Sequence, residues 1–176
     1  MDILAHTLWA NAAARKANDS LEKKGKPARI HALWAGFWGV FPDFFAFTIP
    51  FAIAIYGILA GTVSLDSFSS HHLPDGFDIA HTLYNYSRSL VIWAGVFGIT
   101  WIIWKRPRLE LLGWALHILI DIPSHTTEFF PTPFLFPLSD YQFPYGISWG
   151  NQWYMIINYA ALLLVFLYFL FRKKKS

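Results

Sequence analysis

Apolar residues dominate four long stretches of this chain, and polar residues gather in the gaps between them. The first stretch, His31 to Gly61, is almost wholly apolar over roughly 31 residues, about 46 Å if drawn as one straight helix. Pro42 and Pro50 inside it predict a break, kink or tilt. Ser89 to Trp104 is a second, shorter run. Leu109 to Asp121 or Ile122 is a third, which Pro123 is expected to close or bend, and Trp153 to Phe171 is a clean fourth. A helix needs about 20 apolar residues to cross a bilayer core, and the pattern predicts about four spans. Ahead of them, residues 2 to about 17 read as a short buried or interfacial helix. The segment 62–87, with SHHLPDG near its centre, reads as an exposed loop, and 126–152 as an irregular aromatic connection. The expected fold is all-α: one polytopic membrane helical bundle over residues 1–176.

Composition agrees with a bilayer as solvent. Hydrophobic residues make up 55% of the chain and charged residues only 14%, against about 25% in a typical soluble domain. With no cysteine, disulfides and thiolate ligands are excluded, and any metal must be held by His, Asp, Glu or backbone oxygen. Lys and Arg cluster at Arg15 to Arg29, Lys105 to Arg108 and Arg172 to Lys175, with Arg88 alone elsewhere. Asp66, Asp75, Asp78, Glu128 and Asp140 fall in the two other connections. Basic clusters abutting apolar runs are a topology signal rather than a nucleic-acid footprint. A cytoplasmic C-terminus and four alternating spans put every basic cluster on one side and both acidic loops on the other. The opening MDILAHTLW, acidic at its second residue, does not read as a cleavable signal peptide.

Against that background, ionisable residues inside the apolar runs stand out. His117 and Asp121 in GWALHILIDIPSHT are four apart, on one face of a helix. Polar side chains at such depth are costly and mark functional sites, and an i, i+4 pair can chelate one cation. The plainer account is a His–carboxylate hydrogen bond between helices. His125 lies beyond Pro123 and reads as a ligand, a proton donor or an interfacial residue. Asp43 in GVFPDFFAF is either a ligand or the N-cap of a helix restarting after Pro42. By helical rise it lies about 18 Å from the basic end, and His117 to Asp121 about 14–20 Å, so these depths coincide. His6 reaches a comparable depth if its helix joins the bundle, and His81 could reach the site from the acidic side. Arg88 suits either a phosphate oxygen or an interfacial anchor. His71 and His72 read as solvated, and His31 as a membrane boundary. Nucleophile elbows, P-loops and dinucleotide fingerprints are absent, which leaves metal-activated water as the economical chemistry.

At these residues the chain resembles the bacterial and archaeal membrane-bound metal-dependent hydrolases of the YdjM-like type. The matching features are His6 in AHTLW, GVFPDFF, His81 in HTLYNYSRSL, the HILID helix and the following FFPTPFLFPLS. The resemblance implies a helical bundle with a divalent metal, and a hydrolase assignment drawn from distant similarity to zinc-dependent phospholipase C. It carries His6, Asp43, His81, His117 and Asp121 over as ligands or near-ligands. Many members have a second histidine before the serine; this chain has Arg88 before Ser89, so a single ion is the expectation. The resulting expectation is a hydrolase of a prokaryotic plasma membrane, cleaving a lipid phosphoester with zinc. In it His125 is the proton shuttle and Arg88 the phosphate contact. The alternatives are a metal-binding or ion-translocating protein without hydrolysis, and a purely structural His–Asp pair.

Overall fold

The computed structural model describes residues 1–27, 29–62, 77–128 and 130–172, without the side chains of 77 and 78. Among the described residues there are six α-helices and no strand: α1 Ile3–Glu22, α2 Ala32–Leu59, α3 Phe77–Ser87, α4 Leu90–Trp104, α5 Leu112–Ser124 and α6 Gln152–Arg172. A 3-10 turn, Leu109–Leu111, leads into α5. His71 and His72 lie outside the described residues.

Local chemistry sets most of the boundaries. Asp2 caps α1 by accepting from the Ala5 N–H at 3.0 Å. The helix ends where Gly25 takes a positive φ of 67°, the left-handed conformation that glycine adopts without steric cost. Asn18 then holds the connector, accepting from the Arg29 and Ile30 N–H groups and donating to the Ile30 carbonyl at 2.7 Å. His31 begins α2, its Nδ1 accepting from Trp34 N–H at 3.5 Å. Ser89 begins α4 by accepting from Val91 and Ile92, both at 3.1 Å.

Three expectations need correction. The apolar run from residue 31 is one 28-residue helix that continues through Pro42 and Pro50. In an apolar surround every freed backbone group is costly, so a helix is retained through proline where neighbours can satisfy it. Pro42 and Pro50 are both buried within α2. Asp43 is therefore inside a helix and caps nothing. Residues 77–87, expected to be loop, form α3, whose Ala80, Tyr84 and Ser87 are buried on one face and which packs against α2. Finally, among the described residues the candidate spans number fewer than four. The helices α2 and α6 are long and apolar enough to cross a membrane, and α3 with α4, bent by 61°, form a third if taken together. With 13 residues, about 20 Å of rise, α5 falls short of a hydrocarbon core of about 30 Å. These helices, and exposed side chains such as Ile157 and Leu164, are consistent with a membrane protein.

Helices α1, α2 and α5 form the centre, and glycine lets them approach. A Cβ at Gly39 would lie 2.5 Å from Ala10 Cβ, and one at Gly113 would overlap the Ala35 carbonyl oxygen. The basic segments share one end of the bundle: His31 N–H donates to Glu110 at 3.3 Å, and Arg172 pairs with Asp19. The aromatic connection is fixed in place. Ile147 and Trp149 donate to the Pro123 and Ser124 carbonyls, both at 2.9 Å, while Leu90 N–H donates to Phe134 at 2.9 Å.

Candidate metal centre

Helix α5 places His117 and Asp121 one turn apart, and both are 1% exposed. Asp121 is the hub. Its Oδ2 lies 3.0 Å from His117 Nε2 and 3.2 Å from Arg88 Nε, and its Oδ1 lies 2.9 Å from His6 Nε2, 3.5 Å from His125 Nε2 and 2.8 Å from the Met1 nitrogen. The His6 and His117 rings stack with centroids 3.7 Å apart, a proximity that depends on the close approach of α1 and α2 at Gly39.

Backbone carbonyls settle which nitrogens carry protons. His117 Nδ1 is 2.7 Å from the Gly39 carbonyl oxygen, which can only accept. A proton therefore sits on Nδ1, and Nε2 faces the carboxylates. His125 repeats the arrangement, with Nδ1 2.8 Å from the Phe130 carbonyl. Phe130 has a φ of 46°, uncommon for a bulky residue and a form of strain that concentrates at functional sites. In that conformation its carbonyl meets His125 and also accepts from the Tyr84 hydroxyl. On α1, outside the candidate spans, burial and then His117 beside it push the His6 imidazole down to about 4, so it is neutral near pH 7.

Despite the short distances, His6 Nε2, His117 Nε2 and Asp43 Oδ2 have no hydrogen-bond partner although fully buried. Buried polar atoms without partners are few in native proteins and call for a cause. Here two imidazole nitrogens converge on a carboxylate, and His6, His117 and Asp121 offer ligand atoms within 4.8 Å of one another. The group could hold a metal ion. Imidazole fixed through Nδ1 by a carbonyl is the usual outer support of a metal-ligating histidine.

Compared with family models, curated proteins and solved structures, the chain matches none.

The remaining expected residues are distributed unevenly. Asp43 reaches the cluster, its Oδ1 3.9 Å from His117 Nε2, but that oxygen is paired with Arg88. Arg88 is neither an interfacial anchor nor open to a phosphate. It is 2% exposed, joins Asp43 to Asp121, and lies over the Tyr84 ring at 4.0 Å. His125 stays in phase because α5 runs through Pro123 to Ser124, and its N–H still donates to the Asp121 carbonyl at 3.1 Å. His81 stands apart: it is exposed and stacks on Phe130 at 4.6 Å. Sequence reasoning missed Tyr84, whose hydroxyl lies 3.2 Å from His125 Nδ1. Its position one helical turn before Arg88 is a signal only once 77–87 is read as helix. Gly39 and Phe130 act through carbonyls, which carry no signature in residue type.

Proposed function

We propose that this chain is an integral membrane hydrolase in which His6, His117 and Asp121 hold one divalent cation, zinc by preference, for cleavage of a phosphoester in a lipid or other amphiphile. The observation that carries this reading is the pair of buried, unpartnered Nε2 atoms aimed at one carboxylate. Two imidazoles, a carboxylate and a free position make a ligand set that suits catalytic zinc. A bound cation would lower the pKa of a water molecule and polarise a phosphoryl oxygen.

The chain's own residues supply the rest. Asp43, with Oδ2 free, is a further candidate ligand. His125 Nε2 faces the centre and is placed to accept the proton of the attacking water as the new O–P bond forms. It returns that proton to the departing alcohol oxygen as the ester P–O bond breaks. The Phe130 carbonyl and Tyr84 hold the ring for this task. Charge supports an anionic substrate. Asp43 and Asp121 are balanced by Arg88 and the Met1 ammonium, and a divalent cation would leave the centre positive. The same reading takes the basic end of the bundle as cytoplasmic.

Elemental analysis of the detergent-purified protein tests the metal, and turnover of a short-chain lipid phosphoester tests the reaction. We expect zinc near one per chain in the wild type, occupancy lower by tenfold or more in His117→Ala, and no turnover in Asp121→Asn. Retention of both metal and hydrolysis by Asp121→Asn overturns the assignment. One observation favours a structural reading instead: the Met1 nitrogen at 2.8 Å and Arg88 at 3.2 Å already give Asp121 partners. Purified protein free of stoichiometric metal would decide for that reading.

A further inference from the structure

A cavity of about 400 Å³ lies at the basic end of the bundle and shares no lining residue with the Asp121 cluster. Trp34 and Trp38 of α2, Thr100 and Trp104 of α4, and Arg108 and Glu110 of the following segment form its walls. Trp34 and Trp104 are 56% and 48% exposed. They sit near the start of α2 and at the end of α4, where indoles collect at a membrane–water boundary. Its volume falls within the range of small-ligand sites and suits a headgroup rather than a whole lipid.

Its charges narrow the occupant. Arg108 and Glu110 are half-buried, and among the described residues neither enters an ion pair. Arg108 lies over the Trp104 ring at 5.2 Å, and Glu110 Oε1 accepts only the His31 N–H at 3.3 Å. A simple anion would meet Glu110, a simple cation would meet Arg108, and a neutral apolar group would leave both half-buried charges without partners. A zwitterion with phosphate and ammonium a few bonds apart satisfies both. Guanidinium binds phosphate through paired N–H donors, a primary ammonium donates to carboxylate, and indole faces attract the ammonium.

We infer that this cavity binds the headgroup of a phospholipid carrying a primary ammonium beside its phosphate, a lipid of the phosphatidylethanolamine type. A quaternary ammonium could use the indoles but has no N–H for Glu110. The inference needs the chain to sit in a bilayer and does not depend on a metal at Asp121.

Native mass spectrometry tests it on the full chain in mild detergent, with an equimolar mixture of phosphatidylethanolamine, phosphatidylcholine and phosphatidylglycerol of identical acyl chains. We expect one phosphatidylethanolamine per protein, favoured roughly fivefold over each of the others. Glu110→Gln should erase the preference over phosphatidylcholine, and Arg108→Gln should lower retention of all three lipids. Equal binding of the two zwitterionic lipids by the wild type overturns the inference without any variant. A preference for phosphatidylglycerol also overturns it, in favour of a plain basic patch, as does unchanged retention in the double variant. Zinc content measured on the same samples keeps the fate of this site distinct from that of the Asp121 centre.

Discussion

Helices α5 and α6 are both strongly apolar, and both look like spans from their composition, yet they are held in opposite ways. In α6 only 6% of the span is buried, and Asn158, its one buried polar residue, accepts from Trp9 at 2.8 Å. In α5, buried residues recur through the helix: Gly113, Trp114, Ala115, His117, Ile118, Asp121 and Ser124. The apolar character of α6 answers a surrounding solvent, and that of α5 answers protein neighbours. A helix packed against α1, α2 and α4 can carry His117 and Asp121 because His6 of α1, Asp43 of α2 and Arg88 at the joint between α3 and α4 meet them. Hydropathy measures how much a helix avoids water and is silent on which of the two environments receives it.

The largest effect on stability should follow from removing the charge that makes the α5 surround tolerable. Arg88→Met leaves Asp43 and Asp121 buried without their shared guanidinium. Breaking a buried pair by deleting one partner costs about 3–5 kcal/mol. We expect a loss of that order in denaturant unfolding of the purified protein. If zinc binds between the carboxylates, saturating zinc should return part of the loss, and to a greater extent than it stabilises the wild type. An Arg88→Met protein as stable as the wild type would mean that the α5 surround is not electrostatically demanding, and the contrast with α6 would fail.

A smaller effect is expected from steric change at the same contact. In Gly113→Ala the new Cβ meets the Ala35 carbonyl and comes 3.1 Å from Gly39 N. Backbone on both sides leaves no flexible side chain to give way, so α5 must move off α2, at about 1–3 kcal/mol. Because Gly39 also supports the His117 proton, zinc occupancy should fall together with stability. Occupancy that holds while stability falls would separate packing from the site.

Elements governed by their own residues were legible in the sequence. The start of α4 follows from Ser89, and α6 differs from its expected bounds by one residue at each end. Where neighbours decide, the reading failed. The prolines of α2 favour a break, but the demand for satisfied backbone in an apolar surround outweighs them. Asp78, His81 and Asn85 give α3 a polar appearance that hides its buried Ala80 and Tyr84. Leu109 to Leu111 look like helix but tighten into a 3-10 turn, and this shortens the third apolar run. The cluster divides the same way. His117 and Asp121 follow from spacing, and Asp43 and His6 from depth. The carbonyls of Gly39 and Phe130, which orient two imidazoles, belong to tertiary structure alone. His81 has the residue type of a ligand but lies on the exposed side of α3.

The smallest effect is expected on the outer face of α6, where two leucines two positions apart test the contrast within one helix. Leu162 is 2% exposed and packs with Met1 and Ala5, whereas Leu164 is 67% exposed. Truncating a buried leucine removes its contacts and leaves a cavity, so Leu162→Ala should cost about 2 kcal/mol or more. Leu164→Ala removes only side-chain surface that faces outward in the folded chain and should stay within about 0.5 kcal/mol. Parallel thermal unfolding in one detergent checks both. A large loss from Leu164→Ala would place a protein partner on the outer face of α6, because lipid or detergent can close over a shortened side chain and a packed protein surface cannot. The face of α6 that looks outward would then be of the same kind as α5, held by neighbours rather than by solvent.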